Sequence, residues 1–247
     1  MKKSRLFITL FIVLSMLFSG CRKQPEPVPT QDPNACDIID DCGDDENSTA
    51  GMTFKEAYES KNGKENSSGK PSRAVLIAED HPFVKASAED VVGMIENKET
   101  FYVYVGDEMC PWCRSVIEKT IEVAKEAGIE KIYYLEIWND AHEEILRDQY
   151  VVEDGKAVRK ADGTEAYHAL LKHWDSVLSD YTLTDGDNKI DIGEKRIFAP
   201  NFFYVENGEV VRFTTATSSL QEDARQELTE EILADEEAML KEFFGIE

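Results

Sequence analysis

Between Thr100 and Trp138 the chain runs strand, helix, strand, and no other stretch limits the fold as strongly. "TFYVYV", Thr100 to Val105, is aromatic and β-branched, the composition of a buried strand. A helical pattern follows, with Cys113, Val116, Ile117, Thr120, Ile121 and Ala124 along one face and Gly128 closing it. "KIYYLEIW", Lys131 to Trp138, is a second strand. Strands joined in this way pair in parallel through a right-handed crossover.

The flanks extend the pattern. Met52 to Asn62 reads as a short helix capped by Thr53, Arg73 to Ala78 ("RAVLIA") as a strand, and Ser87 to about Asn97 as a helix with a Ser87/Asp90 capping box. At the far end "NFFYV", Asn201 to Val205, and "VVRF" flank Asn207-Gly208, a strong hairpin signal. A last helix, beginning near Glu222 or Thr229, runs to Phe244 with Leu228, Ile232, Met239 and Phe243 on one face. Between these ends lies an insertion over about 139–197, expected to be mainly helical. It holds helical stretches at His142–Gln149 and Thr164–Leu178, with a hairpin about Asp154-Gly155 between them. The expectation is therefore an α/β domain over 52–247, a central mixed sheet flanked by helices.

What precedes it has a different character. Met1 to Arg5 is basic and Leu6 to Phe18 is a run of 13 uncharged residues, too short for a spanning helix and right for a secretory h-region. Residues 1–20 are thus expected to be a signal peptide. "LFSGC", Leu17 to Cys21, resembles the bacterial lipobox, which implies lipidation of Cys21 and a protein anchored to the extracytoplasmic face of the cell membrane. Residues 21–51 read as a tether: Pro25, Pro27, Pro29 and Pro33 favour extended chain, and seven acidic residues with no basic one lie between Gln31 and Ser48. The formal net charge is −23, and losing Lys2, Lys3 and Arg5 takes it to −26. Such an excess argues against nucleic acid as a partner.

Five cysteines divide into Cys21, a C-x5-C pair (Cys36, Cys42) and a C-x2-C pair (Cys110, Cys113). Cys36 and Cys42 can close a small disulfide loop in the tether or form a second pair relaying electrons to Cys110. For "CPWC", Cys110 to Cys113, three readings compete: a redox dithiol, a metal half-site, and a closed structural disulfide. Zinc needs about four ligands and no second C-x2-C exists, so no metal is assigned. "DGDNKIDIGE", Asp185 to Glu194, has Ile190 where a calcium loop needs glycine and reads as a solvated turn. Nothing calls for a cofactor.

A C-x2-C pair between a buried strand and a helix, with "RIFAPNFFYV" placing Pro200 directly before a hairpin strand, resembles the thioredoxin-like fold family over roughly 73–244. The "YVGDEMCPWC" approach is similar to bacterial thioredoxin-like lipoproteins and bacteriocin transport accessory proteins. The resemblance implies a thiol–disulfide oxidoreductase. Its partners would be extracytoplasmic proteins or peptides bearing thiols or disulfides, with a separate redox partner protein. The alternative it carries is a non-catalytic accessory module that holds a secreted peptide or export machinery.

Under this reading Cys110 sits at a helix N-cap, where free N–H groups and the dipole favour a thiolate. Cys113, one turn on and more buried, resolves the mixed disulfide. Pro111 suits the first helical turn, Trp112 offers a flat apolar contact, and Arg114 favours the thiolate while Asp107 and Glu108 oppose it. Pro200 is implied to be cis and to face the dithiol, with the backbone of Ala199 pairing with bound substrate. Tyr104 departs from the family, standing where cytoplasmic thioredoxins carry a buried aspartate. Glu136 on the next strand is the stand-in proton acceptor.

Overall fold

The aromatic strand Phe101–Gly106 (β2) and the strand Ile132–Glu136 (β3) pair in parallel, Val103 opposite Tyr133 and Gly106 opposite Glu136, across the helix Pro111–Glu126 (α3). This computed structural model describes residues 52–65, 69–138, 143–186 and 188–246. The signal peptide, Cys21, the tether and the Cys36/Cys42 pair expected above lie outside the described residues.

Five strands make the main sheet. Phe83–Lys85 (β1) joins β3 in parallel, while Asn201–Glu206 (β8) runs antiparallel to β2 and Glu209–Thr214 (β9) antiparallel to β8, giving the order β1-β3-β2-β8-β9. Side chains alternate between its faces. Tyr104, Tyr134 and Phe202 share one face, where Tyr104 stacks on both of the others, and there they meet Phe54 and Tyr58 of helix Phe54–Ser60 (α1) and Phe243 of helix Glu230–Phe244 (α5). Helix α3 packs on α5. The opposite face carries Phe203, on which Trp174 of helix Glu165–Trp174 (α4) stacks at 3.9 Å, and α4 in turn packs on helix Ala88–Glu96 (α2). The chain is a mixed α/β structure with a mixed sheet covered by helices on both faces.

Local signals explain most helix starts. Thr53 and Ser87 close capping boxes with Glu56 and Asp90, and Thr164 and Thr229 cap α4 and α5. Two expectations need correction. Arg73–Ala78 alternates like a strand, with Val75 and Ile77 buried and Leu76 exposed, yet among the described residues it pairs with no strand. Its N–H groups at Val75, Leu76 and Ile77 are satisfied by the side chains of Asn62, Glu118 and Glu59. The strand at that edge is β1 instead.

The insertion is also not mainly helical. Gln149–Glu153 (β4) and Lys156–Ala161 (β5) form the expected hairpin, α4 stops at Trp174, and Ser179–Asp185 (β6) with Asn188–Arg196 (β7) form a second hairpin. Polar residues alternate there with Tyr181, Leu183, Ile190 and Ile192, a half-buried strand pattern, so most of Asp185–Glu194, expected to be a solvated turn, is strand. Residues 143–148 are not helical; Leu146 accepts Thr164 N–H and Arg147 donates to Ile197 O, so this stretch is held from outside.

Candidate functional site: a buried dithiol at the start of α3

Strand β2 ends at Gly106, and the next four residues turn the chain into α3. Asp107 makes that turn: its Oδ1 accepts the N–H groups of Met109 (2.7 Å) and Cys110 (3.0 Å). Cys110 is then the N-cap of α3, with no side-chain cap bond, and Pro111 fills the first helical position, where a missing N–H breaks no helix bond. Arg114, only 1% exposed, braces the turn from inside. It donates to the carbonyls of Arg73, Tyr58 and Glu108 and to Asn62 Oδ1, tying α1, the 73–78 segment and the α3 entry together.

From the other side β8 brings Ala199 and Pro200. The Ala199–Pro200 peptide bond is cis, and the Ala199 carbonyl oxygen lies 3.5 Å from Cys110 Sγ as its acceptor. Residues far apart in sequence thus meet: Cys110, Pro111, Trp112 and Cys113 on α3, and Ala199 and Pro200 before β8. Both sulfurs are free thiols and both are 0% exposed, so the expectation that Cys113 is the more buried of the two does not hold. Trp112, at 8% exposure, is largely covered as well.

Electrostatics divide the groups around the thiols. Burial pushes the Cys113 thiol well up, and hydrogen bonding to Cys110 and the Cys110 charge act in the same sense; the Tyr104 hydroxyl and the Asp107 N–H pull it back. Burial, Glu108 and Cys110 together hold the Asp107 carboxyl well above the usual carboxylate range. Arg114 feels the Cys113 charge as an attraction.

Glu136 sits elsewhere. It ends β3 beside Gly106, pairs with Lys85 Nζ at 2.8 Å, and lines a cavity of about 500 Å³ with Leu135, Trp138 and Leu146. It is not one of the groups that act most strongly on Cys113. The polar neighbours at the thiols are Tyr104 and, through it, Tyr58, whose hydroxyls are 2.7 Å apart. The sequence marked Tyr104 only as a departure, and Tyr58, on α1, gave no signal at all.

Among the described residues no cluster of His, Cys, Asp or Glu is arranged to hold a metal ion, and no helix is long and apolar enough to cross a membrane. A scan against protein-family models and a search of curated proteins both find no match to this chain.

Proposed function

We propose that the chain is a thioredoxin-like thiol–disulfide oxidoreductase acting on protein disulfides through Cys110 and Cys113. The observation that carries this reading is the meeting of the α3 N-cap thiol with the carbonyl before a cis-proline, 3.5 Å apart, on opposite sides of one site. A thiol at a helix N-terminus is placed to ionise, and in the thioredoxin-like reading the backbone at Ala199 beside it aligns an extended chain.

In the reducing direction, Cys110 thiolate attacks one sulfur of a partner disulfide, forming a mixed disulfide as the other partner sulfur leaves and takes a proton. Cys113 then attacks Cys110 Sγ. The second partner sulfur is released and receives the proton that Cys113 gives up, and two electrons have passed from the dithiol to the partner. The oxidising direction is the reverse.

Trapping tests the assignment. Cys113→Ala should accumulate mixed disulfides through Cys110, detected on non-reducing gels and by mass spectrometry, and Cys110→Ala should accumulate none. Equal yields from both variants refute the roles given. A second reading, a non-catalytic module that holds a secreted peptide, is favoured by one observation: the 0% exposure of Cys110. It predicts no trapped species from either variant and an unchanged affinity for the held peptide when both cysteines are alanine. Anchoring through Cys21 belongs to the same proposal and rests on "LFSGC" alone. Loss of lipid labelling in Cys21→Ala supports it, and unchanged labelling refutes it.

A further inference from the structure

Two arginines that point past each other join the insertion to the chain entering β8. Arg147, just before β4, donates through Nη1 to the Ile197 carbonyl (3.3 Å), and Arg196, the last residue of β7, donates through Nη1 to the Asp148 carbonyl (2.8 Å). Glu144 stands between them, its Oε1 bonded to Arg147 Nε and 3.6 Å from Arg196 Nη2. Both arginines are 2% exposed. The Arg196 guanidinium lies 4.2 Å from the ring centre of Tyr181 on β6, and the Asp148 carboxylate is held by the Gly163 N–H (2.7 Å) and by His168 Nε2 (3.0 Å).

Burying two cations is expensive, and apolar side chains of similar volume would fill such a joint without that cost. What arginine adds is direction, because its planar fork fixes the position of the acceptor it binds. The acceptor of Arg147, Ile197 O, belongs to the same rigid peptide unit as the Phe198 N–H. That N–H donates to Asn201 Oδ1 at 3.0 Å, and Asn201, only 3% exposed, donates in turn to Pro200 O at 2.8 Å. One peptide plane is thus gripped at both ends, immediately before Ala199. Beyond it β8 is fixed to β2, Asn201 opposite Val105. The Ala199 carbonyl lies between these two fixed points, 3.5 Å from Cys110 Sγ.

We infer that Arg147 and Asn201 are positioning residues for Cys110: they grip the Ile197–Phe198 peptide from its two ends and so aim the Ala199 carbonyl at the sulfur. The inference rests on the redox reading above and gives the insertion a part in that chemistry. A carbonyl oxygen only accepts. It takes the S–H of a thiol, but to a thiolate it presents the negative end of a dipole, so the contact favours the protonated form. The α3 N-terminus pulls the other way. The insertion, acting through Arg147, therefore sets how readily the attacking thiol ionises.

The charged and titratable groups around Cys110 come from several elements. Cys113 and Arg114 lie on α3, and Asp107 and Glu108 in the turn before it, where Asp107 takes the Cys110 N–H. Arg114 donates to the carbonyls of Arg73, Tyr58 and Glu108 and to the Asn62 side chain. Tyr58 reaches the turn from α1, its hydroxyl on the Asp107 carbonyl at 3.3 Å, and meets the Tyr104 hydroxyl from β2. From the β8 side the group presented to the sulfur is the Ala199 carbonyl, and its aim is what Arg147 and Asn201 control.

The test reads Cys110 in the reduced full chain. Arg147→Met removes the anchor of the peptide carbonyl, and Asn201→Ala removes the anchor of its N–H. Each should move titration of the Cys110 ¹³Cβ resonance to lower pH, the thiolate fraction below the midpoint rising about threefold, within the scale of one neutral hydrogen bond. Arg159→Met, which breaks the Tyr150, Asp162 and Glu194 contacts of the same hairpins, should leave the titration where it is. Lost stability in urea with an unmoved Cys110 titration would reduce Arg147 and Asn201 to structural braces and overturn the inference, as would an equal shift in Arg159→Met. Should one of the two variants not fold, the other decides. Trapping in the Cys113→Ala background keeps the two readings apart: a moved titration in a protein that traps no partner leaves the positioning standing and overturns the redox reading instead.

Discussion

Helix α5 turns the face Ile232, Glu236, Leu240 and Phe243 inward, and one of those four is a carboxylic acid. Glu236 is 0% exposed and neither of its carboxyl oxygens has a hydrogen-bond partner. Burial pushes it up to about 8 from an ordinary 4.5; attraction from Arg73 and Lys119 offsets part of this, and Asp235 adds to it. The direction of the stability change follows from linkage. Below pH 4.5 the group is protonated in both the folded and unfolded chain and carries no penalty. Between 4.5 and 8 the unfolded chain releases the proton while the folded chain keeps it, so stability falls as pH rises and levels off above 8. At pH 7 the span already crossed is about 2.5 pH units, and at 1.36 kcal/mol each the penalty is about 3 kcal/mol.

Glu236→Met keeps the unbranched shape and removes the ionisable group, so its stability should lack this decline. The measurement is urea unfolding of wild type and variant at half-unit steps from pH 4.5 to 8.5. The two curves should lie closest at the acid end and diverge to a gap of about 3 kcal/mol at pH 7. At 2–4 °C for each kcal/mol in a domain of this size, the melting temperature should rise by about 6–12 °C. Curves that run parallel over the whole range would show that the carboxyl ionises normally in the fold and refute the reasoning.

Two further predictions concern the turn before α3. Asp107→Asn keeps an oxygen for the Met109 and Cys110 N–H groups but removes a charge that forms beside Cys110 as pH rises, so attack by Cys110 on a small-molecule disulfide should gain most at the alkaline end of the profile, by roughly tenfold, and change little in acid; equal rates throughout pH 5–9 would exclude the charge as an opposing influence. Arg114→Met strands the carbonyls of Arg73, Tyr58 and Glu108 and the Asn62 oxygen, and should lower unfolding free energy by about 3–5 kcal/mol in urea titrations, a loss under 1 kcal/mol counting against its bracing role.

The parts of the fold visible in sequence were those whose hydrophobic period is their own. Strands β2 and β3 could be read from their aromatic and β-branched runs, helix α3 from its 3.6-residue period closed by Gly128, and the last hairpin from Asn207-Gly208. Arg73–Ala78 misled because alternation reports which side chains are buried, not what the backbone bonds to. Asn62, Glu59 and Glu118 supply side-chain acceptors there that no local pattern announces. Hairpin β6–β7 misled in the opposite way, since its acids occupy the exposed positions of a strand and its apolar residues are too few to dominate the window. Glu236 broke the α5 stripe at a position where the sequence pattern was read through Met239 instead, which is half-buried.

At the site the same limit takes a chemical form. Cys110 and Cys113 share a helix turn, so their spacing carries the pairing directly. Ala199 meets Cys110 only because β8 pairs with β2 in a register that sets Asn201 against Val105, and nothing local to either segment encodes that register. Tyr104 is an intermediate case. Its hydroxyl pairs with that of Tyr58, 46 residues earlier in the chain, yet the Tyr-x-Gly run at 104–106 does record one half of the arrangement. A large ring two residues before a glycine, on one face of one strand, is a ring with space to lie forward along that strand. Filling the space tests that half alone: Gly106→Ala puts a methyl 2.2 Å from the Tyr104 hydroxyl, so the hydroxyl must shift off Tyr58, while no polar group is removed. Unfolding free energy in urea should then fall by about 1–3 kcal/mol, the cost of leaving a buried hydroxyl without its partner. Unchanged stability would mean that the strand yields to the methyl and that the ring does not need a bare backbone beneath it.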